Sequence, residues 1–582
     1  MIYTSQRVAA SGPRNARLAA IGMSPARQEI ADKVPFVGPS GRIFNDALAA
    51  SKISRNAVYV TNLCAFFIDD NDLYSVPQEI LEKERQRVFR ELEEVKPNCL
   101  LIMGAQTLVL LMEGYVGPFG SKSQKRAAAR WGITKWRGSI IPLTLPNGRV
   151  QKCVVAHHPA GFIRGQWKWL PVFKYIDVPR AVTQSSFPEN KMTPRSAIVA
   201  PSFRQAREWL QEANTKEWVS IDYEGRSHIT CLGSGWEISS AMCIPLSRVG
   251  NPSYWSLIEE LELWKLWCAL LQNPKVKKIA QNAPFEWIKS WLYGIYPARL
   301  GMDTMSLHHC LYPDFGGVTD EWSKKKRDID NPGHGLAFIT SQYTDQSYYK
   351  DDGRHWEPSL GENVFWRYNA LDVMVTFEAA MKMHAEAQAC GLWDFYQQNY
   401  LDTFESALRM EWQGVAIDIA RRDSERALSV ARIAEAQLHL KQLVNLEVIT
   451  KGGKGVKPMP GVLNLASPKQ VLNWLTNVRK YKIRLHRKTG KPTVDRDTFQ
   501  MLISKHPQDA ALRTMIELRK EQDFINDNLD TEIDKEGRMH SHVKQGGTNG
   551  TRWSTAESIL GGGRNFQNLP RQGPARALFL PN

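Results

Sequence analysis

The 582-residue chain has no apolar run long enough to cross a bilayer; its longest, Cys99–Met112, is broken by Gln106 and Thr107. The opening MIYTSQRVAASGPRNARL contains no apolar stretch, so a secretory leader is not expected. Cysteine is scarce. Eight are scattered at positions 64, 99, 153, 231, 243, 268, 310 and 390, with no C-x-x-C pair. That spacing excludes a disulfide framework and a zinc ribbon as organising devices. Internal repeats are absent, and so is any acidic excess: 75 Lys and Arg stand against 60 Asp and Glu, a net charge of +15. Such a field favours a polyanionic partner, with nucleic acid first among candidates, and gives no reason to expect a membrane.

Hydrophobic residues make up 43% and charged residues 23% of the chain, the balance of a protein that buries real cores rather than staying disordered. Its length corresponds to roughly four domains as a prior. The text divides into three blocks. Residues 1–185 alternate short apolar runs (NAVYVTNL, NCLLIMGA, KCVVAHHP) with helical stretches, the pattern of an α/β layer. The polar stretch TQSSFPENKMTPRS reads as a linker. Residues 195–392 begin a second α/β unit at EWVSIDYEG and end in a long helical pattern around ENVFWRYNALDVMVTF. Residues 395–582 are mostly helical. Within them, 451–490 hold ten Lys or Arg and no acid, a basic segment suited to a phosphate backbone or to a solvated face.

The clearest chemistry lies in the middle block. Asp222 and Glu224, two apart at the end of a predicted strand, face the same way and repel unless a cation neutralises them. Asn282-Ala283-Pro284-Phe285-Glu286 opens a later helix, and Tyr368 and Asp372 share one helix face at i and i+4. In this order the three elements resemble the motifs of DnaQ-type 3′–5′ exonucleases. The resemblance implies an RNase H-like domain with Asp222, Glu224, Asp372 and Glu286 holding two Mg²⁺ or Mn²⁺ ions and Tyr368 orienting the attacking water. The family's second-motif aspartate falls on Glu286, one methylene longer; Asp303, in GMDTM, is a nearby acid that the family places near the core.

The last block resembles family A (DNA polymerase I-like) enzymes of bacteriophage type. The matching stretches are MEWQGVAID, NLASPKQVLNWL, KTGKPTVDRDTF, TRWSTAES and RNFQNLPRQGPARALFLPN, together with GLAFITSQYTDQSYYKDDG in the middle block. This implies a thumb and the start of a palm gripping primer–template duplex, with Arg552, Gln567 and Asn568 near the primer terminus and Arg487 and Lys488 on DNA. The family's D-x-S-x-x-E, fingers lysine and H-D-E do not follow Leu580-Pro581-Asn582, so this chain alone is not expected to polymerise; a second chain carrying palm and fingers and an interrupted or truncated gene are the two readings of that.

The first block resembles uracil-DNA glycosylases of the iron–sulfur type through IGMSPARQEIADKVPFVGPSGRIFN, YVTNLCAFF, LIMGAQTLVLL and AHHPAGFIR. The resemblance implies a pocket built from Phe36, Asn62 and His158, or its neighbour His157, with Arg164 near phosphate. Gly22-Met23-Ser24-Pro25-Ala26 lacks the family's acid, and Cys64, Cys99 and Cys153 lack ligand spacing, so no iron–sulfur cluster is expected.

The sequence therefore leads to a multidomain α/β protein in DNA replication, supplying proofreading and duplex grip. Its expected place is the cytoplasm, that of a bacterial host if phage-encoded. A repair exonuclease with active uracil excision and a catalytically silent DNA-binding subunit are the alternatives.

Overall fold

The computed structural model describes residues 6–69, 72–118, 120–225, 227–251, 253–316, 332–443, 467–485, 491–566, 569 and 573–580. Two compact units emerge: Met1–Ala407 with Lys544–Trp553, and Leu408–Val543 with Ser554–Asn582.

The first unit contains two sheets. In the N-terminal sheet, β1 (Leu18–Gly22), β2 (Val58–Asn62), β3 (Cys99–Met103), β4 (Ile140–Thr144) and β5 (Val150–Ala156) lie in the order β2-β1-β3-β5-β4. All neighbours are parallel except the antiparallel edge strand β4. β1, β2 and β3 are buried along their whole length, as continuous apolar strands in a parallel sheet must be. Alternate residues serve opposite faces: Ala19 and Ile21 enter one core, Leu18 and Ala20 the other. The result is an α/β/α sandwich.

The second sheet comprises β6 (Ser196–Ile198), β7 (Trp218–Glu224), β8 (Cys231–Gly235), β9 (Ser240–Pro245), β10 (Lys277–Ala280) and β11 (Leu300–Asp303), ordered β11-β10-β7-β8-β9-β6. β7, β10 and β11 run parallel; β7, β8 and β9 are antiparallel neighbours. The helix Glu362–Ala389 crosses this sheet and packs Ala370, Val373 and Met374 against Cys231, Ala241 and Cys243.

The two α/β layers are not separated at the expected linker. Phe315 and Phe338 from the middle block join the core of Leu18, Phe36, Trp169 and Phe173. Thr193, inside the expected linker, donates its N–H and hydroxyl to Asp345 Oδ2 (2.5 and 2.7 Å), and Arg195 reaches Asp345 Oδ1 at 2.8 Å and pairs with Glu378. Burial works to raise the Asp345 carboxyl; the Arg195 and Thr193 hydrogen bonds overcome it and hold it below the ordinary aspartate range. The two compact units divide after Ala407.

The second unit is built on the helices Ile419–Leu443 and Ala510–Phe524, packed through Leu440, Trp474, Phe499, Leu512 and Met515. Two short strand pairs, the antiparallel β12 (Val415–Ala416) with β13 (Arg538–Met539), and β14 (Ser541–Lys544) with β15 (Ser554–Glu557), complete it. Among the described residues, no helix is long and apolar enough to cross a membrane.

Candidate active sites: an acid cluster and an aromatic pocket

β7 alternates its side chains, so Asp222 and Glu224 share a side while Tyr223 turns into the core, where its hydroxyl meets Ser290 (3.0 Å) and Trp267 Nε1 (2.8 Å). Across from them the helix Glu362–Ala389 presents Asp372. One carboxylate oxygen of each of Asp222, Glu224 and Asp372 lies within 4.8 Å of the others, and among the described residues this is the one such cluster of His, Cys, Asp or Glu. Like charges about 4 Å apart repel by about 4 kcal/mol at an effective dielectric of 20. Accordingly the Glu224 carboxyl is pushed well up, first by burial and then by Asp222. Asn369 Nδ2 donates to Asp222 Oδ2 at 2.7 Å and fixes its orientation.

Glu286 sits in the first turn of the helix Pro284–Leu292 and is 2% exposed; its Oε2 has no hydrogen-bond partner. Burial, then Asp222, pushes its carboxyl well above the ordinary range. It feels the cluster but falls outside the trio that could share one ion. Asp303 is committed elsewhere: its Oδ1 accepts the N–H groups of Asn282 (2.7 Å) and Met305 (3.1 Å), holding Asn282 at φ 65° before the Pro284 helix. A crowded set of hard oxygen donors with one buried oxygen unsatisfied fits a divalent cation such as Mg²⁺ or Mn²⁺.

Tyr368 lies one helical turn before Asp372 and is nearly buried. Its ring packs against the backbone of Gly353, where a Cβ would fall 2.5 Å from the ring atoms. Two more groups missed in the sequence complete the site. Lys350 Nζ bonds Asp372 Oδ2 at 2.5 Å, and the Tyr349 hydroxyl donates to Asp372 Oδ1. The run Tyr349-Lys350-Asp351-Asp352 lies in the stretch GLAFITSQYTDQSYYKDDG, whose resemblance assigns a role to none of these residues. Only the fold delivers it to the acids.

In the N-terminal sandwich, Phe36, Asn62 and His158 line one cavity of about 760 Å³, with His157 and Arg164 also on its wall. Gly22 makes the arrangement possible, since a Cβ there would lie 2.6 Å from both Asn62 Oδ1 and the Phe36 ring. Phe36 is held at φ 60°, and Asn62 Oδ1 is buried without a partner. His158 Nδ1 accepts from the Ala160 N–H (3.2 Å), which assigns the proton of the neutral ring to Nε2. Burial, then Arg164, lowers its pKa to about 4, so the ring is neutral near pH 7. His157 instead packs on Trp169, ring centroids 4.9 Å apart, and burial lowers its pKa to about 3.

Of the expected DNA contacts, Arg552 is exposed, its backbone N–H on Thr548 Oγ1 at 3.2 Å. Arg487, Lys488, Gln567, Asn568 and much of the basic segment 451–490 lie outside the described residues.

The chain is similar over 152 residues to the type-4 uracil-DNA glycosylase of Archaeoglobus fulgidus, at 24% identity, covering 26% of this chain and 69% of that protein. Among solved structures it is similar to the POL domain of Pol1 from M. smegmatis in complex with DNA primer-template and dNTP (TM-score 0.44, 17% identity, 66% of this chain); the chain spans 57% of that structure's length. The family model of the uracil DNA glycosylase superfamily matches residues 9–174, so the N-terminal sandwich with its Phe36–Asn62–His158 cavity is a domain of that superfamily.

Proposed function

We propose that the chain is a DNA-processing enzyme whose middle block, read as an RNase H-like domain over 195–392, removes nucleotides from 3′ ends by metal-dependent hydrolysis. The observation that carries this is the convergence of the neighbouring Asp222 and Glu224 with Asp372, distant in sequence, to within 4.8 Å. A bound Mg²⁺ or Mn²⁺ would polarise the scissile phosphate there. Asp222, Glu224 and Asp372 would hold the cation, and Glu286 lies outside that trio. Burial, then Asp372, raises the Tyr368 phenol, which therefore stays protonated and orients the attacking water as a neutral group. The water oxygen bonds to phosphorus, the bond to the 3′ oxygen breaks, and that oxygen leaves with a proton, releasing a nucleoside monophosphate.

The test is a 3′-labelled single strand. Wild-type chain should release labelled mononucleotide when Mg²⁺ is added and stop when it is chelated; full retention of label would refute the reading. Gly353→Ala supplies a finer check. The added Cβ displaces the Tyr368 ring, so cleavage should fall by about tenfold, a change near 1.4 kcal/mol in barrier height, with Mn²⁺ binding at the acids retained.

The cavity of the N-terminal domain supports a second activity, excision of uracil. Phe36 offers a face for a flipped base, the unpartnered Asn62 Oδ1 a polar edge, and neutral His158 an N–H donor toward a carbonyl. Asn62→Ala should slow uracil release from a uracil-containing single strand by about 100-fold. Equal release by both proteins would leave the cavity a brace only. In the remaining third, the family A resemblance supports a grip on primer–template duplex by Arg552, Arg487, Lys488, Gln567 and Asn568.

A further inference from the structure

The acid cluster contains a cation of its own. Lys350 is 4% exposed; its Nζ lies 2.5 Å from Asp372 Oδ2 and 4.5 Å from the centre of the Tyr368 ring. It therefore touches both the acid and the phenol read above as the working groups. A buried ammonium among three carboxylates is held there by the charge that would otherwise hold metal.

The segment that brings it is anchored from outside the middle block. Ser347 Oγ donates to the Ile140 carbonyl on β4 (2.5 Å), and the Tyr348 N–H to Ser139 Oγ (3.1 Å). Asp351 pairs with Lys135 Nζ at 2.9 Å and accepts from the Tyr348 hydroxyl at 2.8 Å. The Tyr348 ring packs on Trp136, centroids 5.5 Å apart. Residues 347–351 are thus clamped to the glycosylase-superfamily domain on one side. On the other, Tyr349 and Lys350 take both oxygens of Asp372.

We infer that Lys350 takes the place of one of the two metal ions of the family arrangement. Its ammonium is then a catalytic cation facing the scissile phosphate, and the N-terminal domain is the mount that holds it in position. The inference rests on the exonuclease reading and specifies its charge inventory: one divalent ion plus one lysine. It also gives the contact between the two α/β layers a purpose beyond stability.

The test separates this role from simple support of the fold, because the signs differ. Full-length wild type titrated with Mn²⁺, followed by calorimetry and by the electron paramagnetic resonance of free ion, should bind one ion in the cluster. Lys350→Met removes a positive charge beside Asp372, so Mn²⁺ should bind about tenfold tighter or a second ion should appear. Cleavage of a 3′-labelled strand should nevertheless fall by about 100-fold. Lys350→Arg keeps the charge and should keep one-ion binding with part of the cleavage. Asp351→Asn loosens the mount and should shift Mn²⁺ binding in the same direction as Lys350→Met by a smaller factor. Two ions in wild type, with Lys350→Met unchanged or weaker in Mn²⁺ binding, would overturn the inference alone. No Mn²⁺ bound by wild type, matching Asp222→Asn, would overturn the exonuclease reading and the inference together.

Discussion

Asp222→Asn should abolish Mg²⁺-dependent release of 3′-terminal nucleotides while leaving the protein folded. Asp222 lies at the centre of the cluster: it raises the carboxyls of both Glu224 and Glu286 and receives the Asn369 amide. The amide replacement preserves shape and removes one charge. A cation that stabilises transition-state charge by about 4 kcal/mol would then be lost, and the rate should drop by about three decades. Relieving the repulsion should leave stability equal or higher, since two buried carboxyls lose a like-charged neighbour. Cleavage kinetics beside a thermal melt check both halves; retained cleavage at more than a tenth of the wild-type rate would contradict the role given to Asp222.

The largest expected effect on stability is at Arg137. It is 1% exposed, and its guanidinium meets Asp177 Oδ1 through Nε (3.0 Å) and Nη2 (2.5 Å), while Nη1 donates to Ser341 Oγ at 2.7 Å. Asp177 is fully buried; burial raises its carboxyl and Arg137 opposes the rise. Arg137→Met leaves that carboxylate without its partner at a cost of about 3–5 kcal/mol, whereas replacing both residues by apolar ones should restore most of the loss. Because Arg137 joins the N-terminal domain to the helix Leu336–Tyr343, both α/β layers should lose structure in one transition at a lower melting temperature. Denaturant unfolding of the single and double variants measures this; a shift below about 1 kcal/mol would show the pair to be dispensable.

These expectations depend on residues of unequal visibility in the sequence. Asp222, Glu224, Tyr368 and Asp372 were legible because two regular periods, two along a strand and nearly four along a helix, fix their side. The resemblance put Glu286 at the second motif and left Asp303 a nearby acid close to the core, and the structure separates them: Asp303 is consumed by backbone N–H groups, whereas Glu286 keeps an oxygen without a partner. Phe36, Asn62 and His158 could be named from resemblance, yet their shared cavity depends on Gly22, where the missing Cβ is the informative feature. The fusion of the first two blocks was not legible. It is made by Phe315, Phe338, Arg137 and Thr193, single side chains in stretches without periodicity, where local pattern carries no information about a distant partner. Lys350 was hidden for the same reason: a lysine amid acids reads as surface, and only tertiary contact turns it inward.

The most direct measurement is an anomalous-scattering map from a crystal of the full chain grown with Mn²⁺. The account predicts a manganese peak bounded by the carboxylates of Asp222, Glu224 and Asp372, with the Lys350 ammonium still on Asp372. Those three side chains directed apart, with no peak between them at saturating Mn²⁺, would contradict it.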